Sequence, residues 1–335
     1  MTVESDPVVL ISSSNRSYVA LPTDPGTAQG VNRQYCERYK IDIVPRQIGT
    51  RTEFVDSQYL NYHIIMPQSE HVTQRISLTA AGWRSELAAP VIAAYHGLGV
   101  TVAYSEPDQI SVADKKIGIL TVELLDHAVV LSGALTADVD LQSAAGALSS
   151  CGEAQQAKVL QSLTAHTTTL SKESGQAPSP EMMATKLIDA LESHWQYELY
   201  PSFPTPDELE LVEQYDEILR PGADAIDSGE TATVVVPISA TASVVWSAAE
   251  FDQGHVEAVV SIAGDTIEAV VLSGNIMEWP AAAVSDLATR MAAHGISADL
   301  LGKKFEALRR AEQMDLSSVS PPSLGADNQI PSRRE

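Results

Sequence analysis

Apolar and polar residues alternate most clearly near the end of the chain, between residues 256 and 273. Two runs, Val256–Ala263 and Thr266–Ser273, flank Gly264-Asp265, a two-residue loop whose glycine can take the positive φ of a primed turn. Counting outward from this turn places three apolar pairs opposite one another: Ile262 with Ile267, Val260 with Ala269, and Ala258 with Val271. Since successive side chains of a strand point to opposite faces, this register gathers the apolar residues on one face. The pattern predicts a β-hairpin over residues 256–273.

Two further strands are predicted just before the hairpin, near Thr233–Val236 and Ala242–Trp246. Pro237 lies between them and cannot donate to a sheet ladder, which places it at the end of a strand. Together these segments predict an antiparallel sheet of about four strands.

The first half of the chain mixes strand and helix patterns. Short strand-like runs recur there, at residues 8–11, 18–21, 41–44, 59–66, 99–104, 118–125 and 128–132. Residues 77–94 have apolar positions at helical spacing, and Pro90 is expected to end or kink that helix. The alanine-rich residues 136–170 predict a helical stretch that is broken at Gly152.

Helical patterns dominate after a polar linker at residues 171–180. Ser179-Pro180 supplies a cap and first residue for a helix to about residue 197, whose apolar stripe is predicted to be core: Ala184, Leu187, Ile188, Leu191 and Trp195. A second helix begins at Thr205-Pro206, is expected to stop at Pro221-Gly222, and is predicted to bury five apolar side chains: Leu211, Val212, Tyr215, Ile218 and Leu219. Two more helices are predicted at residues 280–294 and 298–314.

These elements predict an α+β fold, in which antiparallel sheets, including the hairpin at 256–273, pack against several helices. The predicted organisation along the chain has five parts: an N-terminal arm at 1–30, a mixed α/β lobe at 31–172, a linker at 173–180, a helical lobe with the antiparallel sheet at 181–316, and a C-terminal tail at 317–335. The two ends are polar and lack the apolar residues to form a core alone, so they are expected to be extended arms.

Net charge is the extreme feature of the composition, at −23 over 335 residues. A surface this acidic repels phosphate, so binding to anionic membranes and sequence-specific binding to nucleic acid are not expected. The hydrophobic content of 44% is that of a globular protein. With two distant cysteines, Cys36 and Cys151, and neither a secretory signal nor a transmembrane run, the sequence predicts a reduced, intracellular protein.

One modestly basic zone lies between residues 33 and 51. It contains five basic residues: Arg33, Arg38, Lys40, Arg46 and Arg51. Glu37 and Asp42 dilute the charge, so the zone is interpreted as a solvated face rather than a nucleic-acid site.

The most suggestive short motif is His96-Gly97-Leu98-Gly99, which follows the apolar residues 91–95. Such a turn after a strand resembles the oxyanion-hole loop of lipases and esterases, whose backbone N–H groups stabilise a developing negative charge. That fold also needs a G-x-S-x-G nucleophile elbow, and the sequence has none. A glycine-rich turn that ends a helix or strand is therefore the favoured interpretation.

No other pattern predicts a cofactor, a metal or catalytic residues. The eight histidines show no i, i+4 pair of the kind that binds zinc. Asp224, Asp227 and Glu230 could approach a hard cation in a loop, but an acidic solvated face explains them as well. The glycine-rich phosphate-binding motifs of nucleotide enzymes are absent from the sequence.

The long polar ends favour a structural, self-assembling subunit without enzymatic activity, most specifically a viral capsid protein in the virion or host cytoplasm. Arms that cannot fold alone are commonly ordered by exchange between copies, so the predicted partners are further copies of the same chain. Because no basic arm is present, such a shell would enclose its genome without neutralising it, as in double-stranded RNA viruses.

Two other classes of function remain open at this stage. One is an intracellular hydrolase that uses the turn at His96, with catalytic groups converging from distant positions. The other is a regulatory binding module, although no feature of the sequence specifically indicates this class.

Overall fold

A computed structural model describes residues 6–22, 30–49, 51–67, 83–105, 108–125, 128–225, 233–251, 254–274, 287–289, 291, 296–297, 300–305 and 307. The α+β fold class is confirmed, since antiparallel sheets pack against several helices. The predicted C-terminal tail at 317–335 and most of the two predicted helices at 280–314 lie outside the described residues.

Thirteen strands lie in the described residues, in chain order β1 (Val8–Ser13), β2 (Tyr18–Pro22), β3 (Asp42–Arg46), β4 (Glu53–Val55), β5 (Tyr59–Pro67), β6 (Ala103–Ser105), β7 (Gln109–Val112), β8 (Lys115–Leu125), β9 (Ala128–Thr136), β10 (Thr233–Pro237), β11 (Ala242–Phe251), β12 (Gly254–Ala263) and β13 (Thr266–Gly274). The helices with described bounds are α1 (Arg33–Tyr39), α2 (Trp83–Gly97), α3 (Leu141–Ala147), α4 (Glu153–His166), α5 (Leu170–Ser174), α6 (Pro180–Trp195) and α7 (Pro206–Ala225). Residues 287–289, 291, 300–305 and 307 are also helical.

The largest sheet is six-stranded and antiparallel, in the order β1-β5-β9-β8-β7-β6. Strand β5 shows how the sheet divides its faces, because its buried and half-buried residues alternate. Leu60, Tyr62 and Ile64 belong to the core that α2 and α6 cover. Tyr59, Asn61 and His63 point to the other face, which lines a cavity. One face of this sheet therefore builds the core, and the other is left for polar chemistry.

A second sheet has three strands in the order β3-β2-β4, with β2 parallel to β3 and antiparallel to β4. Its apolar residues share a core with α1, α3 and α4, which includes Val19, Leu21, Phe54, Ala145 and Val159. Asp56, at the turn after β4, is buried and accepts a hydrogen bond from the backbone N–H of Asp140 at 3.0 Å. Asp140 is in turn the N-cap of α3, so the Asp56 carboxylate fixes the start of this helix against the sheet.

The predicted antiparallel sheet in the second half of the chain is confirmed, with the strand order β10-β11-β12-β13. It is buried on both faces. Val236, Val244 and Val259 pack into the core that contains α4, while Val245, Val260 and Ile262 pack with the helical residues Leu287, Met291, Leu301 and Phe305.

The hairpin register differs from the prediction beyond its first pair. Ile262 lies opposite Ile267 as predicted, but Ser261, rather than Val260, lies opposite Ala269. A bulge between Ser261 and Ile262 leaves Glu268 as an extra residue on β13 and shifts every later pair by one. Glu268 leaves the ladder, and its Oε2 lies 3.0 Å from Nε2 of His166 at the end of α4. Simple alternation could not reveal the bulge, because the shifted register again pairs apolar residues.

The N-terminal segment was predicted to be an arm ordered by another copy of the chain, and its strands instead find partners within the chain. β1 extends the six-stranded sheet by pairing with β5, and β2 is the central strand of the three-stranded sheet. Both strands therefore have hydrogen-bonded partners inside the chain, with β1 at the edge of its sheet, and their pairing does not depend on another copy of the chain.

Helix α7 departs from its prediction in burial and in length. Leu211, Val212 and Tyr215, expected to be core, are each more than half exposed. The helix also continues through Pro221 and Gly222 to Ala225, since proline removes one helical hydrogen bond without necessarily ending a helix. Helix α7 packs beside β3, at the edge of the three-stranded sheet. Among the helices whose bounds are described, none is both long and apolar enough to cross a membrane.

A close approach between strands at Gly133 gives a test of the sheet. A Cβ added there would collide with the carbonyl oxygen of Ile119 and the hydroxyl of Tyr62. We expect Gly133→Ala to lower the free energy of unfolding by about 1–3 kcal/mol, because neither neighbour can move without disturbing the core. Urea denaturation measures this change.

Gly302→Ala is the matched control, since a Cβ added at Gly302, in a helical segment, meets nothing within 4 Å. We expect this control to leave the stability unchanged or to raise it by up to about 1 kcal/mol. Equal stabilities for the two variants would contradict the described packing of β8 on β9.

Candidate functional site

A cavity of about 430 Å³ lies between the six-stranded and three-stranded sheets. Strands β5, β8 and β9 line it on one side, strands β2, β3 and β4 on the other, and residues of α3 and α4 close one end. Tyr215 of α7 also lines it and is 52% exposed, so the cavity reaches the surface beside this helix. A concave space of this size is typical of a small-molecule site.

The cavity walls are largely apolar. The apolar lining comes from both sheets and from the helices that close the end: Val44, Phe54, Ile117, Ile119, Leu141 and Leu148. Such walls bind the hydrocarbon part of a ligand by removing it from water. Polar groups are concentrated on a few positions, which would fix the orientation of the ligand.

Four charged side chains are found among the described residues that line the cavity: Arg46, Arg51, Lys116 and Glu53. The Glu53 carboxylate lies between two of the cations, with Oε2 3.0 Å from Arg46 Nη2 and Oε1 3.3 Å from Lys116 Nζ. Arg51 pairs more loosely with Asp108, with 3.7 Å between Nε and Oδ2. Three cations in one cavity are notable in a chain whose net charge is −23, and they favour an anionic ligand.

The backbone holds Lys116 and Arg46 in place from several sides. Lys116 is the second residue of β8, next to an irregularity in the pairing of β8 with β7, and its carbonyl oxygen accepts a hydrogen bond from Thr168 N–H at 2.8 Å. Arg46 ends β3, and its Nη2 donates to the carbonyl oxygen of Arg51 at 2.7 Å. Gly49, at φ +94°, follows Arg46 and donates its N–H to Glu123 Oε1 at 2.7 Å, which ties this loop to β8.

Burial and charge act in opposite directions on Glu53. Burial by itself raises the pKa of Glu53, but the charges of Lys116 and Arg46 and their hydrogen bonds together outweigh it and hold this pKa below its usual range. Burial raises the pKa of Tyr59, which also lines the cavity, and the nearby Glu53 carboxylate raises it further. Glu53 is therefore ionised and Tyr59 neutral at neutral pH.

A second polar contact lies on the floor of the cavity. His63 of β5 and Ser132 of β9 are directly opposite each other, with 2.7 Å between Nδ1 and Oγ. Burial, and then the charge of Arg46, lower the pKa of His63, so its imidazole is neutral at neutral pH. This pair adds neutral hydrogen-bonding groups to the charged groups above it.

The sequence contained one signal for this site, which was interpreted as a solvated face. Of the five residues in the basic zone, Arg46 and Arg51 line the cavity, whereas Arg38 and Lys40 are exposed. Lys116 and Glu53 were not singled out, because they are 63 positions apart and share no motif. Only the packing of one sheet on the other brings them together.

The His96 turn is the end of a helix, in agreement with the favoured interpretation of its glycines, and the alternative of an oxyanion-type loop there is wrong. Residues 91–95 belong to α2, which passes through Pro90 and ends at Gly97. The backbone N–H groups of Leu98, Gly99 and Val100 donate to carbonyl oxygens of α2, so they are not free to bind an oxyanion. His96 itself is exposed, and the residues that line the cavity do not include it.

The remaining candidates contribute no site among the described residues. Asp227 and Glu230 lie outside them, as does the side chain of Asp224. Within the part of the chain that the structure describes, no three metal-ligating side chains come together. Cys36 and Cys151 are both free, and the cavity lining contains neither. Burial raises the pKa of Cys36 to about 11, so this thiol is protonated at neutral pH.

Comparison with known proteins matches the part of the chain that supplies most of the cavity lining. The family model described as the lipoyl protein ligase A/B catalytic domain matches residues 2–192. No match was found among curated protein sequences.

Several solved structures of lipoate protein ligases share the fold of this chain. A bipartite lipoate protein ligase from Thermoplasma acidophilum, described with its E2 lipoyl domain, superposes with a TM-score of 0.55 and 15% identity, over 65% of this chain and 82% of that chain. A putative lipoate protein ligase from T. acidophilum with bound lipoic acid and a lipoate-protein ligase A bound with ATP each give a TM-score of 0.52 at 13% identity, over 65% of this chain and 84% of theirs. Because the sequence identities are this low, the superpositions show a shared fold and nothing further.

The match to an enzyme family overturns the prediction of a viral capsid protein without enzymatic activity, and with it the virion location. It also overturns the alternative of a hydrolase at the His96 turn. The prediction that the partners are further copies of the chain that exchange arms is wrong as well, because the family model is that of a ligase catalytic domain and the similar T. acidophilum ligase is described with an E2 lipoyl domain. The long polar ends misled the prediction, because the strands within the first 30 residues pair inside the chain.

The lowered pKa of Glu53 predicts how stability depends on pH. In the folded protein the pKa of Glu53 lies below its unfolded value of about 4.3. The stability that ionised Glu53 contributes is therefore fully present above pH values of about 4.3, and it is lost as the pH falls through the folded pKa. We expect Glu53→Gln to show a shallower loss of unfolding free energy than the wild type between about pH 5 and 3. Urea denaturation at a series of pH values measures the two slopes.

Glu86→Gln, which removes an exposed carboxylate on α2, is the control and is expected to keep the wild-type slope. If Glu53→Gln also kept that slope, Glu53 would not be held in its ionised form by the two cations.

Proposed function

Because the chain belongs to the lipoyl protein ligase A/B catalytic domain family, we propose that it is an enzyme that attaches a lipoyl-type acyl group to a protein. The cavity between the two sheets binds the acyl group, and the product is an amide with a side-chain amine of the acceptor protein. The match to the family model covers more than half of the chain, and it includes every strand of the two sheets that enclose the cavity.

The observation that carries this proposal is the combination of apolar walls and a cationic cluster in one cavity. Lipoate, the free acid form of the lipoyl group, has an apolar chain with a ring at one end and a carboxylate at the other. Walls such as Phe54, Ile119 and Leu148 suit the apolar part, while Arg46, Arg51 and Lys116 suit the carboxylate. Neither a purely apolar nor a purely cationic pocket would match both ends of such a ligand.

The cations also suit the chemistry of acyl transfer. The acceptor amine attacks the acyl carbonyl carbon, the new C–N bond forms as the bond to the leaving group breaks, and the amine releases a proton. Negative charge develops on the carbonyl oxygen during the attack. Lys116 and Arg46 can stabilise that charge in a cavity where apolar walls reduce solvent screening.

A carboxylate must be activated before an amine can attack it, and one of the similar ligases was solved with ATP. In this chain, the donor groups of Arg46, Arg51 and Lys116 fit the phosphate groups of a nucleotide. A bound nucleoside triphosphate would supply the leaving group that turns the carboxylate into a reactive acyl donor.

The proposed partner is a lipoyl domain, of the kind described with the T. acidophilum ligase. Its amine has to enter the cavity from the surface. The described opening lies beside α7, where Tyr215 is both part of the lining and more than half exposed. This end is therefore the proposed route for the acceptor.

Lys116 provides the direct test of the proposal. We expect Lys116→Gln to lower the rate of acyl transfer to a lipoyl domain by about 10²–10³-fold, because one preorganised cation is lost from the developing oxyanion. Mass spectrometry of the acceptor domain, incubated with lipoate and ATP, measures the transfer.

Lys115→Gln is the matched control, because Lys115 precedes Lys116 on the same strand but is exposed. We expect this variant to retain wild-type activity. Absence of transfer by the wild-type protein would refute the proposed function, and equal activity in Lys116→Gln would refute the assignment of Lys116.

A further inference from the structure

Glu53 is in an unusual position for a site that favours an anionic ligand. It starts β4, next to β2 in the three-stranded sheet, and its side chain is only 14% exposed. Each carboxylate oxygen faces a different cation, Oε2 facing Arg46 and Oε1 facing Lys116. The protein thus places a carboxylate of its own between the groups that would bind the carboxylate of a ligand.

The two contacts of Glu53 are not equivalent. Arg46 and Glu53 belong to strands of the same sheet, at 3.0 Å, and Arg46 is held further by the carbonyl oxygen of Arg51. Lys116 comes from the opposite sheet, at the longer distance of 3.3 Å, and its stem is flexible. The contact between Glu53 and Lys116 is therefore the one that can open without disturbing the three-stranded sheet.

Arg46 has donor capacity that the contacts with Glu53 and Arg51 do not use. Its Nε is buried and has no hydrogen-bond partner among the described residues. A buried donor of this kind is costly to leave unpaired, so it favours a further acceptor atom beside Arg46. A ligand oxygen could bind to Arg46 and Lys116 if Glu53 released the lysine.

We propose that Glu53 is an internal counter-anion, which neutralises Arg46 and Lys116 until the ligand carboxylate displaces it from Lys116. In this state it lowers the affinity of the cavity for anionic ligands and sets their specificity. Its repulsion acts on the charged end of the ligand alone, so a neutral ligand of the same shape escapes it. The identity of the acyl group rests on the proposed function, whereas the competition between Glu53 and an anion does not.

Calorimetric titration with three ligands tests this role: lipoate, its neutral amide lipoamide, and octanoate, a simple eight-carbon carboxylate. We expect Glu53→Gln to bind lipoate and octanoate at least about tenfold more tightly than the wild type, because one like charge beside the ligand is removed. The affinity for lipoamide should stay within about twofold. Glu86→Gln, which removes an exposed carboxylate on α2, is expected to bind all three ligands as the wild type does.

The double variant Glu53→Gln/Lys116→Gln locates the effect. If Lys116 is the cation that Glu53 releases, the gain for lipoate and octanoate disappears in the double variant. Equal or weaker binding of both anions by Glu53→Gln would overturn the proposal and leave Glu53 as a residue that only positions the two cations.

Two further outcomes are also decisive. If octanoate gains affinity but lipoate binds neither protein, Glu53 is an internal counter-anion and the lipoyl assignment fails. If circular dichroism shows that Glu53→Gln is unfolded, Glu53→Asp replaces it, since its side chain is one methylene shorter and cannot reach both cations. We then expect a smaller gain for both anions, and no gain would overturn the proposal.

Discussion

A carboxylate held between two cations from opposite sheets is the contact on which the site depends. Glu53 joins Arg46 of its own sheet to Lys116 of the six-stranded sheet, and so links the two walls of the cavity. The cations lower the pKa of Glu53 against the effect of burial, so the carboxylate stays charged where water is scarce. The same contact that stabilises the arrangement also decides how much positive charge a ligand meets.

The fold separates stability from chemistry by giving each face of the six-stranded sheet one task. The face with Leu60, Tyr62 and Ile64 packs under α2 and α6 as a largely apolar core, in which the Tyr62 hydroxyl donates to the carbonyl oxygen of Ile119. The opposite face supplies His63 and Ser132 to the cavity. Because strand side chains alternate, one strand can serve both purposes, and a change on the cavity face need not disturb the core.

Function could not be recognised from composition, and the reason lies in how the charges are distributed. A net charge of −23 describes the whole chain, whereas the ligand meets only the groups that line the cavity. The basic zone that contained Arg46 and Arg51 was diluted by acidic neighbours in sequence, yet the fold turns these two arginines toward the cavity. Similarly, the polar ends favoured a self-assembling coat protein, although β1 and β2 are paired inside the chain.

Local patterns by themselves determined the hairpin turn at Gly264-Asp265, the four-stranded sheet and the start of α6 at its Ser179 cap, because each depends on neighbouring residues. They could not determine the bulge opposite Ser261, the exposure of α7, or the meeting of Glu53 with Lys116. A bulge costs little when both registers pair apolar residues, and the burial of a helix depends on what lies beside it. The site forms only when the two sheets pack face to face, and the spacing of residues along the sequence does not reveal which side chains that packing brings into contact.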